Sequence, residues 1–178
     1  MRKRELAGSS GASASAQVLA LVERDLDRAY RLAGLVLGNS EDARDATHDA
    51  VLRAWRHAAA LRDPARFQAW FDRILVNACR DQLRRRSRIR FIPIDEGAAE
   101  ARDPFHRILE QAEVLRHLAS LDEDLRLVVV LHYWADLRLE AVAERTGWPV
   151  GTVKSRLHRA LEQLRRLGDA TGERDRER

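Results

Sequence analysis

The chain has 178 residues, of which 32 are Lys or Arg and 28 are Asp or Glu; 45% are apolar but 6% are aromatic. That is room for one ordinary domain or two small ones, with cores of mostly Leu, Val and Ala, a composition that favours helices over strands. A lone Cys79, six histidines without ligand spacing, and a longest apolar run from Leu127 to Leu131 exclude a disulfide scaffold, a zinc finger and a membrane-spanning helix of roughly 20 residues.

Met1-Arg-Lys-Arg imitates the basic start of an export signal, but Gly8 to Ala16 supplies small polar residues where an apolar stretch would have to follow. Export is therefore not expected, and the expected location is cytoplasmic. Residues 1–16 have no apolar face and are read as a disordered tail. A first helical domain is expected over 17–90. Within it, Glu41 to Leu61 wound at about 100° per residue places Ala46, Thr47, Ala50, Val51, Ala54, Trp55 and Ala58 on a core side. Asp45, His48, Asp49, Leu52 and Arg56 fall opposite. An apolar Leu52 ringed by charge suits the docking of another protein, although a solvated face with a stray leucine gives the same pattern.

The helix from Phe67 to Arg86 sets Phe67, Trp70, Phe71, Ile74 and Ala78 along one side, with Arg66, Arg73, Asn77, Arg80 and Arg84 gathered on another. Guanidinium groups neutralise phosphates and aromatic rings stack on unpaired bases, so this stripe suits single-stranded or melting DNA. A core helix with an ordinary charged outer face and a buried Trp70 is the competing reading. Asp81 is spaced to pair with Arg85 within the helix. Residues 91–108 then bring two prolines, a glycine and several acids, which reads as a linker extended in part around Pro93.

Helical pattern resumes over 109–168, the second expected domain. Leu139 to Gly147 is a short helix ending at glycine; Trp148-Pro-Val-Gly151 is a turn; Thr152-Val-Lys-Ser-Arg-Leu-His-Arg-Ala160 opens another helix. This is the outline of a helix-turn-helix. Val153, Leu157, Ala160, Leu164 and Leu167 form its buried stripe, whereas Thr152, Ser155, His158, Arg159 and Arg166 project from the other side with Lys154 and Arg156 on the flanks. In a major groove Arg159 could read a guanine edge and Ser155 a base or phosphate. Residues 169–178 read as a charged tail. Charge follows the same division: nine Arg against three Asp in 62–90, nine acids against three Arg in 91–125, and eight basic against four acidic residues in 126–168. Two cationic blocks around an acidic one suggest two contacts with a polyanion. The expected fold class is all-α: two small helical domains joined by an extended acidic linker, the second containing the helix-turn-helix.

The motifs resemble those of bacterial sigma factors of the sigma-70 family, and the short length with two modules resembles the extracytoplasmic-function (ECF) group. Asp45-Ala-Thr-His-Asp-Ala-Val-Leu-Arg-Ala-Trp-Arg56 resembles the family's polymerase-binding helix. Phe67 to Arg86 resembles its promoter-melting and minus-ten helix, and Gly151-Thr-Val-Lys-Ser-Arg-Leu-His-Arg-Ala160 its minus-thirty-five reading helix. The resemblance covers residues 17–168. It implies that Asp45, His48, Asp49, Leu52 and Arg56 contact the clamp helices of core RNA polymerase. Arg66, Trp70, Arg73, Asn77, Arg80 and Arg84 are implied to hold the opened minus-ten strand. Thr152, Lys154, Ser155, Arg156, His158 and Arg159 are implied to contact the minus-thirty-five duplex. Helices over Leu109–Leu118 and Asp122–Trp134 would support the last and touch the polymerase flap, with the acidic linker threading along the polymerase. An anti-sigma factor is an implied partner; no catalytic residue, metal or cofactor is expected, and Cys79 is read as a packed thiol. Two departures from the family pattern are His48-Asp49, where Gln-Glu is usual, and Arg138, where a capping Ser or Thr often stands. The alternative reading is a polymerase-independent helix-turn-helix regulator, which would be expected to dimerise across two half-sites.

Overall fold

The computed structural model describes residues 2–88 and 112–176, and among them the chain is helical with no strand. Its helices are α1 (Arg2–Leu37), α2 (Ser40–Arg56), α3 (Phe67–Arg88), α4 (Ala112–Ala119), α5 (Glu123–Val129), α6 (Leu139–Thr146) and α7 (Val150–Arg176). The expected linker at 91–108 lies outside the described residues. One expectation about the ends is corrected: residues 2–16 form the beginning of α1 rather than a disordered tail; the charged residues 169–176 continue α7. Neither end carries a proline, and a helix already nucleated by packed residues propagates outward, against a cost of about 1 kcal/mol for each of Gly8, Gly11 and Gly172.

The first module, α1 to α3, is built on close approach. Gly38, at φ 80°, closes α1 by donating its N–H to the Gly34 carbonyl at 2.8 Å. Asn39 then caps α2, its side-chain oxygen accepting the Asp42 N–H at 2.8 Å. Ala43, Ala46, Ala50 and Ala54 recur on the buried face of α2, small enough for α1 and α3 to lie close against it. Trp55, expected on this core side, is instead 48% exposed. The alanine stripe is complete without it, and an indole has no room where the backbones approach. The helix also stops at Arg56 rather than Leu61, giving way to a 3₁₀ turn over Ala58–Ala60. Asp63 accepts the Ala65 N–H at 2.9 Å and Pro64 opens the turn that leads into α3. Along α3, Phe71, Leu75, Val76 and Cys79 are fully buried, and the rings of Phe67 and Phe71 stack at 5.4 Å. Burial pushes the Cys79 thiol up to about 12, so it is an inert packed group.

In the second module α5 runs into a π turn at Val130–Trp134, where the Ala135 N–H reaches the Val130 carbonyl at 3.1 Å. Arg126 donates to the Leu118, Ala119 and Leu121 carbonyls at 2.8, 3.0 and 3.1 Å, satisfying the end of α4. Arg138 precedes α6 without a side-chain cap, as its chemistry dictates. Gly147, at φ 73°, ends α6 with its N–H on the Ala143 carbonyl at 2.9 Å, and α7 follows with Val153, Leu157 and Ala160 buried. The two modules pack on each other. Every residue of the run Leu127–Leu131 is buried because it meets α7 on one side and α1 on the other, while α6 lies against α3.

Candidate nucleic-acid interface

On α2, Asp45, His48, Leu52 and Arg56 are exposed, while Asp49 is half-buried and accepts Arg53 at 2.6 Å. Leu52 is 37% exposed, and the outward Trp55, three residues on, extends it into an apolar pair, although helical periodicity alone puts Trp55 on the core side.

Arg66, in the turn just before α3, and Arg73, Asn77 and Arg84 on α3 are exposed, and Trp70 is half-buried, tilted on Phe67 at 6.3 Å. Asp81 pairs with Arg84 at 2.8 Å and, across to α2, with Arg53 at 2.9 Å rather than with Arg85. The cross-helix guanidinium decides this, since it already occupies one carboxylate oxygen and leaves the other aimed at the i+3 position. Partial burial would raise the Asp81 pKa, but the hydrogen bonds from Arg53 and Arg84 outweigh it and hold the carboxyl below the ordinary carboxylate value; burial likewise would lower Arg53, but its bonds to Asp81 and Asp49 raise it. A carboxylate with a depressed folded-state pKa contributes stability above its unfolded pKa, near 4, and loses it as pH falls through the folded value. Asp81→Asn should therefore lower the urea midpoint at pH 7 and match the parent chain near pH 2. A midpoint difference independent of pH would contradict this.

Arg80 is placed differently from the rest of its stripe. It is half-buried, donates to the Thr146 carbonyl at 3.3 Å, and lies 5.1 Å from the ring centre of Trp148. On α7, Lys154, Ser155, His158 and Arg159 are exposed and Thr152 is half-buried, with the Ser155 hydroxyl donating to the Thr152 carbonyl at 3.0 Å. Arg156 is turned inward: it pairs with Asp124 at 2.6 Å and sits 3.8 Å over Trp148, its Nη1 buried without a hydrogen-bond partner among the described residues. So the structure brings Lys154, Ser155, His158 and Arg159 together on one open face and separates Arg156 from it.

Sequence reasoning does not find a buried ionic group that the fold assembles. Asp72, 1% exposed, is hydrogen-bonded by Arg28 of α1 and by Arg145 of α6, the latter at 3.2 Å. Arg28 also holds Asp25 through two bonds of 2.7 Å. Burial would lower the Arg28 pKa, but these carboxylates more than compensate and raise it. Asp72 falls between Phe71 and Arg73 on α3, and its spacing to either arginine is too long for any local pattern to predict. Among the described residues there is no cluster of metal-ligating side chains, and no helix is long and apolar enough to cross a membrane.

Comparison with known proteins gives this geometry a context. The chain matches the Sigma-70 region 2 model over residues 21–89 and the Sigma-70 region 4 model over residues 111–164. It is 37% identical over 152 residues to the ECF RNA polymerase sigma factor SigE of Mycolicibacterium smegmatis, covering 82% of this chain and 59% of that protein. It is 31% identical over 138 residues to the RNA polymerase sigma factor SigV of Bacillus subtilis, covering 76% of this chain and 81% of that one. Identity to the ECF RNA polymerase sigma factor SigM of Mycobacterium tuberculosis is 37% over 147 residues, covering 83% and 74%. Among solved structures, the sigma factor RpoE in complex with the anti-sigma factor NepR from Bartonella quintana is similar in fold, with a TM-score of 0.67 at 22% identity over 84% of this chain and 95% of that one. CnrH in complex with the cytosolic domain of CnrY gives a TM-score of 0.60 at 29% identity over 90% and 95%. With an all-helical fold, a helix-turn-helix whose polar face is open, and both family modules in order, the chain belongs to the ECF group of the sigma-70 family, the promoter-specificity factors of bacterial RNA polymerase.

Proposed function

We propose that this chain binds core RNA polymerase and directs initiation by reading minus-thirty-five and minus-ten elements and trapping the melted minus-ten strand. The observation that carries the reading is the division of α7: Val153, Leu157 and Ala160 are buried, and the Lys154, Ser155, His158 and Arg159 side faces solvent. That is the disposition a major-groove reading helix needs. The stripe of Arg66, Trp70, Arg73, Asn77, Arg80 and Arg84 would hold the opened strand. Each base captured by stacking contributes about 1–3 kcal/mol, so strand opening follows from preferential binding of the single-stranded state and no bond is made or broken. The protein therefore acts as a binding factor in the cytoplasm and not as an enzyme. Asp45, His48, Asp49, Leu52 and Arg56, joined by Trp55, would dock on the polymerase clamp helices, and α4 and α5 on the flap. An anti-sigma factor is a further partner, supported by the similarity to RpoE in its complex with NepR.

The test is transcription of genomic DNA by core polymerase with and without the purified chain, with start sites mapped. New starts that depend on the chain and share two spaced upstream elements are expected. An unchanged set of starts would overturn the reading.

A further inference from the structure

Arg156 stands in the middle of the reading stretch of α7 but does not point where its neighbours point. Its guanidinium carbon lies 3.8 Å from the centre of the Trp148 ring, in the turn that precedes α7, and its Nη2 donates to Asp124, in the first turn of α5, at 2.6 Å. Lys154, Ser155, His158 and Arg159 are exposed on the open face. Two turns further on and on the same side of the helix as Arg156, Gln163 donates to the Ser120 carbonyl, between α4 and α5, at 3.0 Å.

The buried stripe of Val153, Leu157 and Ala160 holds α7 against α5, but apolar contact is non-directional and leaves a helix free to turn slightly on its support. Base readout does not tolerate such turning, because a hydrogen bond weakens steeply as its length and angle depart from the optimum. A charge-assisted hydrogen bond and a guanidinium stacked on a ring are directional. Together they tie the second turn of α7 both to α5 and to the turn that launches the helix. To reach a phosphate instead, Arg156 would have to leave both partners and present the Asp124 carboxylate, whose side chain is 45% exposed, unpaired to a polyanion.

We propose that Arg156 is a positioning residue of the minus-thirty-five reading helix and not a DNA contact: paired with Asp124 and stacked on Trp148, it fixes the rotation of α7 that turns Ser155 and Arg159 toward the bases. This deepens the promoter reading proposed above and rests on it. The test uses core polymerase loaded with the full chain and a duplex carrying the upstream element of a mapped start site, against the same duplex with that element scrambled. Asp124→Asn is the deciding variant, since it is isosteric and lies at a partly exposed position, whereas Trp148 also meets Arg80 at 5.1 Å and is left intact. It should cut the preference for the intact element about tenfold, although loss of a carboxylate beside a polyanion by itself strengthens binding. Arg156→Gln should give the same loss, the double variant no more than either alone, and the slope of affinity against salt should stay that of the parent. Tighter binding of both duplexes by Asp124→Asn, or an equal weakening of both by Arg156→Gln with a slope flattened by about 0.9, is the signature of a phosphate contact and would overturn the proposal.

A second readout needs no DNA. In the free chain the ring current of Trp148 should move the Arg156 side-chain proton resonances upfield, and Asp124→Asn should return them toward their unshifted positions. Unshifted Arg156 protons in the parent would overturn the pairing on which the positioning depends. A parent holoenzyme with no preference for any mapped element defeats the promoter reading and the positioning role with it; a parent with a preference that Asp124→Asn leaves intact defeats the positioning role alone.

Discussion

Phe71→Ala is expected to lower the free energy of unfolding by about 3–5 kcal/mol, the cost of removing a fully buried aromatic side chain. Phe71 sits in the core of the first module, stacked on Phe67 at 5.4 Å and with no exposed surface. The face that α2 buries is mostly alanine, and alanines have no rotamers with which to refill the space, so the cavity should persist rather than collapse. Since a domain of this size has about 5–15 kcal/mol in hand, the loss should bring the first module near its unfolding threshold. Urea denaturation followed by helicity checks this, with Gln68→Ala, an exposed position of α3, as the comparison expected to lie within about 0.5 kcal/mol of the parent. A Phe71→Ala midpoint equal to that of Gln68→Ala would mean that the core described for α3 is wrong.

Leu52→Asp and Arg159→Ala should separate the two proposed binding activities. Leu52 and Trp55 are outward, apolar and one helical turn apart, and a carboxylate at position 52 would have to be desolvated against a partner's apolar surface. Core polymerase affinity should fall by at least about 2 kcal/mol, roughly 30-fold, with binding to a minus-thirty-five duplex unchanged. Arg159→Ala should do the reverse, costing about 1–3 kcal/mol of duplex affinity if the guanidinium reads a guanine edge, with polymerase affinity kept. Fluorescence anisotropy with labelled duplex, and titration of labelled chain with core polymerase, measure the two independently. Equal loss of polymerase binding in both variants would show that the surfaces have been assigned to the wrong modules.

Much of the second module is legible in its local sequence. The glycine at 147, the turn that follows it and the Val153, Leu157, Ala160 spacing all obey local rules: a left-handed residue ends a helix, and a period of 3.6 residues separates its faces. Arg138 is expected to leave α6 without a side-chain cap, and it does. In the first module the same period locates Leu52 outside but places Trp55 inside. Hydrophobicity marks which residues are apolar, not whether a particular groove has room for an indole, and the alanine-lined contact between α1 and α2 has none.

The amino-acid order by itself determined the helical class, the helix-turn-helix, the basic stripes and the family, because each depends on neighbours within a few turns or on motif spacing. What only the tertiary structure decided is how the modules meet. The run Leu127–Leu131 carried a trace of it, since a helix apolar on every side requires two partners, but the run does not say that α1 is the second. Asp72 with Arg145, and Arg80 with Trp148, are brought together from distant parts of the chain, and side chains so far apart become neighbours by packing, for which no local propensity carries a signal.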